Sequence, residues 1–93
     1  MKLIQVKGVL NINMNISQAV TKRILDLCFE KDITVNKLAT ISAVTQSTVS
    51  DIVNSRSKNI GIVTIKKLCD GFEISICDFF DTQYFREMEQ EIY

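Results

Sequence analysis

Apolar and polar residues along this chain fall into two regimes. From Lys2 to Asn15 the apolar positions (Leu3, Ile4, Val6, Val9, Leu10, Ile12, Met14) alternate loosely around Gly8 and show no helical period. Residues 1–15 therefore read as an N-terminal extension: a short strand, a leader, or residues upstream of a start at Met14, with the leader or extra-residue reading favoured. From Ile16 onward the spacing becomes three and four. Ile16, Val20, Ile24, Leu27 and Cys28 share one face while Lys22, Arg23, Asp26 and Glu30 occupy others, which predicts a first helix from about Ser17 to Lys31. Ser17 is its expected N-cap, and Asp32 and Ile33 form its exit turn.

Thr34, a cap-type residue, opens the next window, where Val35, Leu38, Ala39 and Ile41 predict a second helix over about Val35 to Ser42. A break of a few residues follows. Thr45 then opens a third helix, about Gln46 to Val53, with Val49, Ile52 and Val53 inward and Gln46, Ser47, Thr48, Ser50, Asp51 and Asn54 on its remaining faces. Two short helices joined by so tight a turn form a helix-turn-helix, whose second helix projects from the body. The polar, basic stretch from Ser55 to Gly61 reads as a loop. Beyond it Ile62, Ile65, Leu68, Cys69 and Phe72 mark a fourth helix, with Thr64 as cap and Gly71 near its stop. Ile74, Ile76, Phe79 and Phe80 mark a short fifth helix. The tail from Thr82 to Tyr93 keeps Tyr84, Phe85, Met88 and Ile92 at helical spacing between acidic residues. That face needs cover, from the same domain or from a second copy of the chain.

Composition narrows the class. Ninety-three residues suit one small domain, and 46% hydrophobic and 24% charged residues with no proline favour an all-α fold. The domain itself is expected over residues 16–81, with residues 82–93 as a C-terminal helical tail. No apolar run approaches the roughly 20 residues that cross a bilayer, so the expectation is a cytoplasmic protein with no membrane partner. Cys28, Cys69 and Cys77 sit among apolar neighbours at spacings that match no zinc pattern, and read as reduced, buried small hydrophobes. Histidine is absent, which removes the commonest general base and the usual partner of a catalytic cysteine. The expectation is no enzyme, no metal and no cofactor.

Net charge is zero, but its distribution is uneven. Residues 31–67 carry Lys31, Lys37, Arg56, Lys58, Lys66 and Lys67 against Asp32 and Asp51, a net +4. Residues 68–93 carry Asp70, Glu73, Asp78, Asp81, Glu87, Glu89 and Glu91 against Arg86, a net −6. Such asymmetry suits one part that tolerates phosphate and one that avoids it, although an ordinary solvated surface is the plainer alternative. For Lys66 and Lys67 the solvated role is preferred.

The run from Ile33 to Asn54 resembles the helix-turn-helix family of the phage Cro and lambda repressors, often called the xenobiotic-response-element (XRE) family, and Asn59 to Phe80 resembles its fourth and fifth helices. The resemblance covers about residues 17–80 and implies a five-helix, lambda-repressor-like DNA-binding domain. The small Ala39 suits a close helix crossing, and Leu38, Val44, Val49 and Ile52 suit the shared apolar seam. Two positions depart from the pattern. Ala43 stands where the family has glycine in the turn, and a left-handed conformation at a non-glycine costs roughly 1 to 2 kcal/mol. Val35 stands where the family commonly has a phosphate-contacting glutamine.

The function implied is a transcriptional regulator, a repressor more readily than an activator, with double-stranded DNA as partner. In the family's docking mode the third helix enters the major groove, and Gln46, Ser47, Thr48, Ser50 and Asp51 are the candidate base contacts. Gln46 can pair bidentately with adenine, Thr48 can offer a methyl to thymine, and Asp51 can accept from a cytosine amino group. Asn36, Lys37, Arg56, Ser57, Lys58 and Asn59 are the candidate phosphate contacts. This set is weakly basic, so a homodimer on a palindromic operator is expected. The alternative is an antitoxin-like module of the same fold, whose tail engages a partner protein.

Overall fold

The computed structural model describes residues 14–88. The expectations for residues 1–13 and for Ile92 in the tail lie outside the described residues. Six helices stand in the described chain: α1 (Ile16–Lys31), α2 (Val35–Ser42), α3 (Gln46–Val53), α4 (Ile62–Phe72), α5 (Ile76–Phe79) and α6 (Gln83–Arg86). The fold is all-α, five helices with a short sixth in the tail.

The helix starts follow local capping chemistry. Asn15, not Ser17, caps α1: its Oδ1 accepts the Gln18 N–H at 2.9 Å, and Gln18 Oε1 accepts the Asn15 N–H at 2.9 Å. This reciprocal pair is a capping box, which Ser17 cannot build because its hydroxyl instead donates to Asn15 Oδ1. Thr34 and Thr45 cap α2 and α3 as expected, accepting from the Lys37 and Thr48 amides. For α4 the expected cap Thr64 lies inside the first turn; Gly61 stands at the boundary without a side-chain bond.

Three helix ends are built alike. Asp32, Ala43 and Glu73 adopt left-handed conformations, with φ of 57°, 57° and 62°. The next residue in each case (Ile33, Val44, Ile74) donates its N–H to the carbonyl five residues back (Cys28, Ala39, Cys69). Those three β-branched side chains then pack against the core, and the next residue is the cap Thr34, Thr45 or Ser75. Each turn thus closes one helix, plugs the core and opens the next helix within three residues.

The core gathers Val20, Ile24, Leu27, Leu38, Ala39, Val49, Ile52, Ile65, Leu68, Cys69, Phe72 and Phe79. α2 lies across α4 so closely that Gly71 is required there. A Cβ on Gly71 would stand 3.2 Å from Ser42 Cβ and 3.3 Å from Ser42 Cα. Gly71 therefore sits at a helix crossing, and α4 stops one residue later at Phe72, near the glycine as expected. Cys28 and Cys69 are buried as expected, and burial pushes both thiols up from their ordinary range. Cys77 is a correction: on the four-residue α5 it faces solvent, because Phe79 takes the inward position of that single turn.

Candidate nucleic-acid interface

Three long-range bonds tie α1 to its neighbours, one to α3 of the helix-turn-helix pair and two to the end of α5. The buried Thr21 hydroxyl donates to the Ile52 carbonyl at 2.7 Å, satisfying an acceptor in the last turn of α3. Arg23 reaches from α1 to the end of α5, donating from Nε to Phe79 O at 2.6 Å and from Nη2 to Asp78 O at 2.8 Å. Val49 and Ile52, both essentially inaccessible, fix the rotation of α3 about its axis. The opposite face is thereby turned outward.

That face opens on a groove of about 420 Å³ between the start of α2 and the length of α3. Val35, Asn36, Gln46, Ser47, Val49, Ser50, Val53 and Asn54 line it. The structure therefore brings Asn36 together with Gln46, Ser47 and Ser50. It also brings in Asn54, which belongs to neither predicted contact set although it lies one turn beyond Ser50. Gln46, Ser47 and Thr48 are exposed, and Ser50 and Asp51 are half-buried. The lining carries no ionised side chain, so what it offers is hydrogen bonding with apolar contact from Val35 and Val53. Thr48 stands to one side, its hydroxyl accepting from Thr45 at 2.9 Å.

The second half of α3 carries a connected polar network. Arg56 Nε donates to Asp51 Oδ1 at 3.0 Å, and Arg56 Nη2 donates to Ser50 Oγ at 3.1 Å. Asn54 Nδ2 donates to Ser50 O at 2.8 Å and to Ser50 Oγ at 3.2 Å. Arg56 is thus tied to two of the expected base-contact residues.

The remaining phosphate candidates divide. Lys37 is exposed in the first turn of α2, where the amides lacking intrahelical acceptors also favour an anion. Lys58 and Asn59 instead border a second, smaller depression of about 160 Å³ with Ile16, Ser17, Val20, Ile60, Ile65 and Phe80. Ser57 is half-buried between the two regions in sequence. Of the lysines read as solvated, Lys66 is paired with Asp70 at 2.6 Å, a contact that raises the lysine pKa.

The tail chooses the body of its own chain over its described length. Tyr84 of α6 is buried and lies beneath the Lys22 ammonium, 5.4 Å from ring centroid to Nζ. Phe85 stacks edge-on against Phe80 at 4.8 Å. Among the described residues no helix is long and apolar enough to cross a membrane, and no group of three or more His, Cys, Asp or Glu is placed to hold a metal ion.

A two-helix unit on a small helical core, with a polar face presented over the length of its second helix, defines a helix-turn-helix DNA-binding domain. The sequence model of the Cro/C1-type HTH DNA-binding domain matches residues 23–83. The chain belongs to that family. Among solved structures it is similar to the prophage Lp1 protein 11, with a TM-score of 0.69 and 35% identity, over 76% of this chain and 95% of that one. No curated protein matches the chain.

Proposed function

We propose that this protein is a sequence-specific transcriptional regulator, a repressor acting in the cytoplasm, that inserts α3 into the major groove of a palindromic operator as a homodimer. The observation that carries the proposal is the groove itself. Gln46 and Ser47 at the start of α3, Ser50 in its middle and Asn54 at its end lie along one open surface. All four can donate and accept, as reading of base edges requires. Asn36 and Lys37 flank that row from the start of α2, where phosphate contacts set register. Ser57, Lys58 and Asn59 extend the backbone contact beyond α3. The prophage origin of the similar structure fits a regulator of phage type.

The charge supports a dimer. Of the cations near the groove, Arg56 is partly neutralised by Asp51, so one copy offers few phosphate contacts and a weak electrostatic contribution. Two copies on two half-sites double that contribution and fix the spacing.

The test is selection of duplexes from a randomised pool by the purified protein, with sedimentation of the protein alone and on the selected duplex. Enrichment of an inverted repeat, bound by two chains, supports the full proposal. Enrichment of a single unrepeated site would leave base reading standing and overturn the dimer. A pool that stays random overturns sequence-specific binding.

A second role, engagement of a partner protein, is favoured by one observation. Phe29 is 89% exposed and Leu25 stands one turn before it on α1, an apolar pair on the surface. A binding partner that covers Phe29 would place the protein among antitoxin-like modules that also regulate their own genes.

A further inference from the structure

We propose that Arg56 is a base-reading residue, presented to the major-groove edge of a guanine by Asp51 and Ser50, and not one more phosphate contact. The proposal rests on the base-reading role of α3 given above.

The backbone makes the first part of the case. Beyond its Asn54 cap α3 also closes on a left-handed residue, as α1, α2 and α4 do at their caps, here Ser55 with φ 59°. The residue after it donates its N–H to the carbonyl five back, Arg56 to Asp51 at 2.8 Å. At the other three ends that donor is Ile33, Val44 or Ile74, and its side chain enters the core. At this end it is an arginine, and its side chain folds back along the helix it has just left. Asp51 therefore holds Arg56 twice, by its carbonyl and by its carboxylate.

The geometry of the guanidinium makes the second part. Nε and Nη2 on one edge of the plane are taken by Asp51 Oδ1 and Ser50 Oγ. The outer edge, with one N–H from each terminal nitrogen, is left for a ligand. Two parallel donors of that kind match the O6 and N7 acceptors of guanine. Ser50 lines the groove, so the fixed plane lies beside the surface that holds Gln46 and Ser47.

Energetics disfavours the simpler purposes. Arg56 and Asp51 are 57% and 50% exposed, and ion pairs so exposed add little to folding. The Asp51 carboxylate beside the guanidinium offsets part of its charge and so weakens its pull on phosphate. A carboxylate on the groove-facing helix gains a purpose when it aims an arginine. Asp51 is then a positioning residue, with no cytosine of its own to read.

The test repeats the selection from a randomised pool with Arg56→Lys, Arg56→Ala and Asp51→Asn, alongside affinities for the wild-type-selected duplex across a salt series. Both sites are solvent-facing, and matching helical circular dichroism confirms that the variants fold. In the expected result the wild-type pool holds a guanine at one position of each half-site. Arg56→Lys lowers the preference there about tenfold or more, keeps the other positions, and leaves the slope of log affinity against log salt unchanged. Asp51→Asn weakens the preference at that same position. An Arg56→Lys pool identical to the wild-type pool overturns the proposal. So does Arg56→Ala weakening every sequence equally while cutting the salt slope by about one, the mark of a phosphate contact. A wild-type pool that stays random would remove the base-reading role of α3 and this proposal with it, a different failure from an enriched pool indifferent to Arg56.

Discussion

Ala43 holds φ 57° and ψ 38° in the turn between α2 and α3, a conformation that costs a residue with a Cβ roughly 1 to 2 kcal/mol. The side chain is exposed, so glycine there loses no packing, although it frees the unfolded chain by about 0.4 to 1 kcal/mol. Ala43→Gly is therefore expected to stabilise by about 0.5 to 1 kcal/mol, read as a higher urea midpoint with unchanged m-value; a lower midpoint would mean the turn is relaxed as it stands. A few atoms away, the Ser42 hydroxyl is buried without a hydrogen-bond partner, facing Gly71. Leaving such a group unsatisfied costs about 1 to 3 kcal/mol, so Ser42→Ala should raise stability by about 1 kcal/mol. Gly71→Ala should lower it by about 1 to 3 kcal/mol, less in the Ser42→Ala background, where the nearest clashing atom is gone. The residue types at both sites were legible in sequence. What sequence could not show was that Gly71 lies under α2, because a glycine at a close crossing and a glycine at a helix end look alike until the other helix is placed.

Periodicity located α2 and α3 to the residue, because cap-type threonines and an apolar residue after a left-handed turn punctuate the chain there without ambiguity. It was less sure at the ends of α1 and α4. Asn15 and Ser17 are both good caps, and the choice falls to the partner three residues on, Gln18. At α4, Thr64 had the right chemistry in the wrong register, since Ile62 and Val63 already belong to the helix and are exposed. On α5 one turn is too short for periodicity to tell Cys77 from Phe79. The coupling of α3 to α1 through Thr21 was also invisible, as it joins residues 31 apart. Removing it should loosen the element that carries the candidate contacts. Thr21→Val keeps the shape and deletes the donor, and a loss of about 1 kcal/mol is expected, with faster amide exchange in the last turn of α3 than elsewhere. Uniform loss of protection across the domain would mean that Thr21 supports the core and not α3 specifically.

At the scale of the whole molecule, two buried thiols and a buried phenol set how stability depends on pH. Burial raises the pKa of Cys28, Cys69 and Tyr84. The unfolded chain then loses these protons first, so their contribution is intact at neutral pH and declines once the pH passes about 8.5. The urea midpoint should fall between pH 7 and pH 10, and Cys69→Ala should flatten that fall whatever it does to the midpoint at pH 7; an equal slope in the variant would assign the decline to other groups. The same scale holds the functional question. The polar face of α3 and its opposition to an apolar seam were written in the order of residues. The tie from Arg56 back to Asp51 and Ser50 was not, because it depends on the left-handed turn at Ser55. The most direct measurement is the affinity of wild type and Gln46→Ala for the selected duplex and for a scrambled duplex, across a salt series. If α3 reads bases, wild type prefers the selected duplex, and Gln46→Ala loses about 1 to 3 kcal/mol of that preference while both proteins keep the same salt slope. A Gln46→Ala protein that retains the full preference would contradict base reading at the start of α3.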